Sequence, residues 1–126
     1  MMAASRSVLI RAIYALCLAG AAYNHARILL EHGLRYDYGG VPLFYRLFWT
    51  GLTFFDPLAI LLLLLVPRAG LGLTLAIIAV DVAVNATATF IIGPDYLSLG
   101  AQTLFLAFVL ATIGYAWPGK MQRSMA

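Results

Sequence analysis

Two apolar runs, each long enough to cross a bilayer and each with an aspartate near its middle, limit what this chain can become. LFWTGLTFFDPLAILLLLLV holds Asp56 and GLGLTLAIIAVDVAVNATATFII holds Asp81. A charge at mid-membrane depth costs at least ~2.5 kcal/mol, so such residues face protein or water and mark function by default. The runs are joined by Val66-Pro67-Arg68-Ala69-Gly70, with Asp56 ten residues before Val66 and Asp81 eleven after Gly70. At about 1.5 Å per helical residue, both should lie roughly 15 to 17 Å from one membrane surface. The two carboxylates are thus expected at one level. Asn85 is one turn beyond Asp81 on the same helical face, Thr74 precedes it there by seven residues, and Thr89 is nearby. Thr53 is one turn before Asp56 and placed to bond to it. Two carboxylates in a dry site cannot both stay charged easily, so a proton, a cation or a basic side chain is expected between them.

With 126 residues, 63% hydrophobic and 10% charged, the chain is far too apolar for a soluble domain and has room for about four spans. The net charge of +3 comes from eight basic residues scattered over helix ends and loops, which suits topology and lipid headgroups better than nucleic acid. No nucleic-acid motif is present. The single cysteine, Cys17, lies inside an apolar run and excludes an intramolecular disulfide and CxxC chemistry. Its simplest role is packing.

Arg6 and Arg11 followed by AIYALCLAGAAY read either as a secretory signal peptide or as an uncleaved first span. The span is preferred, because Ala12, Ala15, Ala19, Ala22 and Ala26 recur at helical spacing and make a small-residue face suited to close helix contact. After it come Asn24, His25, Glu31 and His32, and then RYDYGGVPLFY, whose Gly39-Gly40 and Pro42 break regular structure. This Tyr-rich segment is expected at the membrane surface, with Arg35 and Arg46 reaching phosphates. Pro57 removes a backbone donor beside Asp56 and predicts a kink whose freed carbonyl needs a partner. In the third span Ala76, Ala79, Ala83 and Ala86 oppose Asp81, so that helix is expected to be central or to meet a second copy. Gly93-Pro94-Asp95 makes a turn. In the fourth span Ser98, Gln102 and Thr112 share a face, and the leucines 61 to 65 of the second read as lipid-facing.

The predicted fold is an all-α membrane protein: four transmembrane helices in a small antiparallel bundle, forming one domain over residues 1–126. The spans are 8–30, 47–66, 70–92 and 96–117, with an interfacial loop at 31–46 and a polar tail at 118–126. Five basic residues (Arg6, Arg11, Arg68, Lys120, Arg123) fall on one side and three (Arg27, Arg35, Arg46) on the other, which favours cytoplasmic termini in a bacterial plasma membrane. On that topology Asn85, Asn24, His25, Gln102 and Ser98 gather in the half away from the cytoplasm, above the aspartates. The expected working part is a polar pocket of Asp56, Asp81, Asn85, Asn24, His25, Gln102 and Thr53 for a small or lipid-soluble ligand.

Chemistry narrows the alternatives. His25 and His32 are seven residues apart, about 10 Å along a helix, and neither HxxxH nor HExxH occurs, so no metal is expected. No GxSxG is present, GLGL at 70–73 lacks a phosphate-binding context, and Asn85-Ala86-Thr87 lies inside a span beyond a glycosyltransferase's reach. No cofactor is expected. A buried carboxylate pair could serve acid–base chemistry on a lipid-soluble substrate. In general style that arrangement is similar to emopamil-binding-type membrane proteins, which include sterol isomerases; the likeness is architectural and implies a lipid or sterol-like substrate. The same residues could couple protons or cations to a solute in a dimer, or could hold helices together in a structural or assembly subunit. Membrane lipid, a second copy or a larger complex are the expected partners. Enzymatic activity is the less favoured reading.

Overall fold

The structure, a computed structural model, describes residues 2–118, with side chains from Arg6 onward. Of the polar tail, 119–126 lies outside the described residues, and with it Lys120 and Arg123. Four helices account for nearly all the rest: α1 (Met2–His32), α2 (Leu43–Leu65), α3 (Pro67–Ile92) and α4 (Tyr96–Ala116). All four are long and apolar enough to cross a membrane. The chain is an integral membrane protein built as an antiparallel four-helix bundle.

The helices outrun the apolar runs that announced them. α1 starts before Val8, because no residue from Met2 onward breaks a helix. α2 starts at Leu43 rather than Leu47, since Pro42 supplies a fixed φ where no amide donor is needed, and its carbonyl accepts from Tyr45 and Arg46 at 3.0 and 3.4 Å. Pro67 does the same for α3, which begins three residues before Gly70. Only Val66 separates α2 from α3, and the expected five-residue connection is a single-residue turn.

Each helix packs mainly on its chain neighbours, and α4 closes back on α1. α3 therefore sits in the ring like the others and is not central. Its Ala76, Ala79 and Ala83 are exposed on the outside. The alanine face of α1 is divided: Ala15 packs against the core and Ala22 and Ala26 are half-buried, but Ala12 and Ala19 are exposed, and the fully buried positions are Ser7, Ile10, Tyr14 and Leu18. Leu61, Leu64 and Leu65 face outward as expected, but Leu63 is buried. Large apolar side chains on the outer surface, such as Leu30, Phe90 and Leu97, are 86 to 90% exposed, as lipid-facing residues must be.

Two contacts set the bundle's geometry. Gly70 lies against Leu63, where an added Cβ would stand 2.3 Å from the Leu63 amide nitrogen, so α2 and α3 meet backbone to backbone. Near the termini, α1 is fastened to α4. Ser7 Oγ and Arg11 Nη1 donate to the Ala116 carbonyl at 2.8 and 2.9 Å, capping the end of α4. One turn further in, the Tyr14 hydroxyl pairs with Thr112 at 2.6 Å, and its ring lies edge-on to Phe105 and Phe108.

Candidate functional site: a cavity between the four helices

At the end of the bundle remote from the chain termini, the helices line a partly open cavity of about 260 Å³. All four contribute: Asn24, His25 and Ile28 from α1, Trp49 from α2, Asn85, Ala88, Thr89 and Ile92 from α3, Ser98, Leu99 and Gln102 from α4. The connecting loops add Tyr36, Tyr38, Gly93 and Asp95. Asn24, His25, Asn85 and Gln102, expected in one polar pocket, are thus brought together.

Asn85 is the hub. Its amide nitrogen donates to Asp81 Oδ1 and to Gln102 Oε1, both at 2.8 Å, and its Oδ1 accepts from the Trp49 indole at 2.7 Å. Helical spacing makes the Asp81 bond available, and the other two tie α3 to both neighbours. A carboxamide carries two donors and an acceptor, and every kind is used. Trp49 was not among the expected site residues. It lies two turns before Asp56, on the face that also carries the buried Leu52 and Ala59, and that shared spacing is the signal that could have found it.

The aspartates lie beneath the cavity, outside its lining. Asp56 is 1% exposed and Asp81 7%. Asp56 Oδ2 is 3.9 Å from His25 Nε2, about 1 Å longer than a hydrogen bond. Each carboxylate thus adjoins the cavity through one polar neighbour, Asp56 through His25 and Asp81 through Asn85.

The two carboxylates are not level, however. Leu63 faces Gly70, Trp49 bonds to Asn85, and Tyr45 bonds to Thr87 at 2.8 Å, three contacts in one antiparallel register. Counted from the Leu63 and Gly70 contact, Asp56 is seven residues along α2 and Asp81 eleven along α3. Asp81 is therefore about 6 Å nearer the cavity. The expectation of equal depth rested on a longer connection than the single-residue turn at Val66 provides.

Thr53 departs from expectation as well. Its hydroxyl and Asp56 Oδ1 are both buried without a partner among the described residues, and no bond joins them. Thr74 is buried but bonds to the Gly70 carbonyl, which satisfies it locally. Thr89 lines the cavity while donating to Ala86. Asn24 shares its side chain with Arg27, which also pairs with Glu31 at 3.2 Å. Ser98 and Gln102 belong to the cavity, whereas Thr112 on the same face serves Tyr14.

No family model matches this chain, and no curated protein or solved structure is significantly similar to it.

The 33–42 loop makes the roof. Asp37 folds it back, accepting from Gly39 N through its side chain and from Gly40 N and Val41 N through its carbonyl. Tyr38 has φ +54°, a left-handed conformation that costs a non-glycine residue on the order of 1 kcal/mol, and Gly39 and Gly40 continue it at +84° and +89°. This turn lays the Tyr38 ring 5.1 Å from Trp49, with Tyr36 behind it and His32 stacked on Tyr36 at 4.1 Å. Arg46, now within α2, leans on the Arg35 carbonyl at 3.5 Å. His32 is engaged with the aromatic roof, and among the described residues no three His, Cys, Asp or Glu side chains converge as a metal site would require.

Proposed function

We propose that this protein binds a small or lipid-soluble ligand in the polar cavity, with Asp56 and Asp81 as the buried groups that sense or act on it. One observation carries the reading: each carboxylate is withdrawn from lipid yet sits one side chain away from the cavity wall. Simple helix adhesion would not require this, because interhelical polar bonds contribute only ~0.6 kcal/mol on average and need no cavity beside them. The unpartnered Thr53 hydroxyl and Asp56 Oδ1 point the same way, since a purely structural network leaves few buried polar atoms unpaired.

The excess of basic residues toward the chain termini supports a bacterial plasma membrane orientation with both termini cytoplasmic and the cavity on the opposite side. A second reading, as a structural or assembly subunit, is favoured by the exposed Ala76, Ala79 and Ala83 on α3, a smooth face on which another membrane helix, from a second copy or a larger complex, could pack closely. The two readings are compatible.

Mass spectrometry of small molecules retained after mild purification tests the ligand-binding reading. Wild type should carry a distinct molecule, and Asp56→Asn and Asp81→Asn should lose it on the order of tenfold while inserting and folding normally. Folded variants that retain the same molecules as wild type would refute the ligand role of the carboxylates. Conversion of the retained molecule by wild type alone would make the site an acid–base enzyme.

A further inference from the structure

The seam between α1 and α4 is closed at one end and open at the other. Near the termini, Ser7, Arg11 and Tyr14 bond across it, and among the described residues every hydrogen bond between these helices lies in that half. In the other half, Asn24 and Ile28 of α1 and Ser98, Leu99 and Gln102 of α4 form walls of the cavity. Asn24 and Ser98 are exposed as well as lining it, as are Ile92, Gly93 and Asp95 beside the α3–α4 turn, so the cavity reaches the outer surface of the bundle along this seam and at the adjoining turn. The roof, by contrast, is covered by a run of ring contacts, His32 stacked on Tyr36, and Tyr36, Tyr38 and Trp49 meeting at tilted angles.

We infer that the α1 and α4 seam is a lateral portal from the bilayer, and that the cavity takes the head of an uncharged amphiphile ending in a hydroxyl or carbonyl oxygen. This deepens the ligand-binding reading and rests on it. Size supports it: about 260 Å³ is below the ~300–1,000 Å³ of sites that enclose a drug-sized ligand, so a longer apolar body must trail through the seam into lipid. So does charge. Among the described residues no lysine or arginine lines the cavity to pair with a carboxylate or phosphate head, and Arg27, one turn from Asn24, is already engaged with Asn24 and Glu31.

Two lining residues carry buried polar atoms without partners among the described residues, the Tyr38 hydroxyl and His25 Nδ1. Asn85 has its bonds already. One oxygen can accept from the phenol, and a hydroxyl can also donate to the imidazole, whereas a trimethylammonium head can bond to neither.

Trp49 reports on the site directly. In nanodiscs, with Trp117→Phe leaving it as the only tryptophan, it is titrated with a long-chain 2-bromoalkanol, which carries its quencher next to the head. The matched 2-bromo acid, bromoalkyl-trimethylammonium and bromoalkane are run beside it. Saturable quenching by the alcohol at concentrations on the order of tenfold below the others is expected. In a Cys17→Ser background, Asn24→Cys and Ser98→Cys are then joined by a short bis-maleimide. Bridging should slow quenching on the order of tenfold relative to the unbridged form of the same protein.

Unchanged kinetics after bridging would overturn the portal and leave the ligand-binding reading standing. Preference for the acid or the ammonium would overturn the ligand class. If none of the four probes quenches saturably in protein with native helicity, the portal and the ligand-binding reading both fall.

Discussion

Asn85 holds together three groups from three helices, the buried Asp81 and the half-buried Trp49 and Gln102. Replacing it with leucine keeps much of the volume but orphans the Trp49 indole and removes the donor to Asp81 and Gln102. A loss of about 1 to 3 kcal/mol is expected, read as a lower midpoint of thermal unfolding in detergent, with Trp49 emission moving to shorter wavelength. An unchanged midpoint and emission would mean that the network contributes nothing. The chemistry of this residue was legible in the sequence, because Asp81 and Asn85 stand one helical turn apart. Trp49 was not, since a tryptophan near the end of an apolar run reads equally well as an interfacial belt residue. Tyr38 was hidden for a different reason: only the left-handed turn before Gly39-Gly40 sends its ring inward, and sequence spacing does not encode that direction. The missing bond between Thr53 and Asp56 shows the limit of helical spacing, which makes a contact available without requiring it.

Gly70 decides how α2 meets α3. A methyl group at this position would collide with the backbone of Leu62 and Leu63, which cannot rotate away as a side chain can. Gly70→Ala should therefore destabilise the bundle by about 1 to 3 kcal/mol, as overpacking does, and disturb the bond between Trp49 and Asn85 far along the same interface. Gly72→Ala, at a position with nothing within 4 Å, should be neutral or slightly stabilising in the same thermal assay. The helices themselves were plain from hydropathy, but their ends and inner faces were not. Prolines 42 and 67 begin helices before the apolar runs do, and the resulting single-residue turn moves Asp81 about a turn past Asp56. The alanine pattern misled for a general reason. In lipid both faces of a helix are apolar, so small residues show where close approach is possible and not where it happens. In α1 the inner face belongs to Tyr14, whose hydroxyl finds Thr112 and whose ring finds two phenylalanines.

Assembled, the four helices form a bundle fastened at the end nearer the termini and hollow at the other. A membrane orientation with cytoplasmic termini places Arg68 on the cytoplasmic side and Asp37 on the opposite side. Single cysteines at these positions in a Cys17→Ser background should react with a membrane-impermeant maleimide from opposite faces of sealed vesicles, and labelling from the same face would contradict the four-span arrangement. The molecule's purpose turns on whether carboxylates from two different spans, offset by about a turn, behave as one site under the cavity. The most direct test is infrared titration of the carboxyl groups in nanodiscs, comparing wild type with Asp56→Asn and Asp81→Asn. Members of one buried site titrate as a pair, so replacing either aspartate should visibly displace the titration curve of the other. Two curves that are each unaffected by the other's removal would contradict a shared site and leave Asp56 and Asp81 as separate structural contacts.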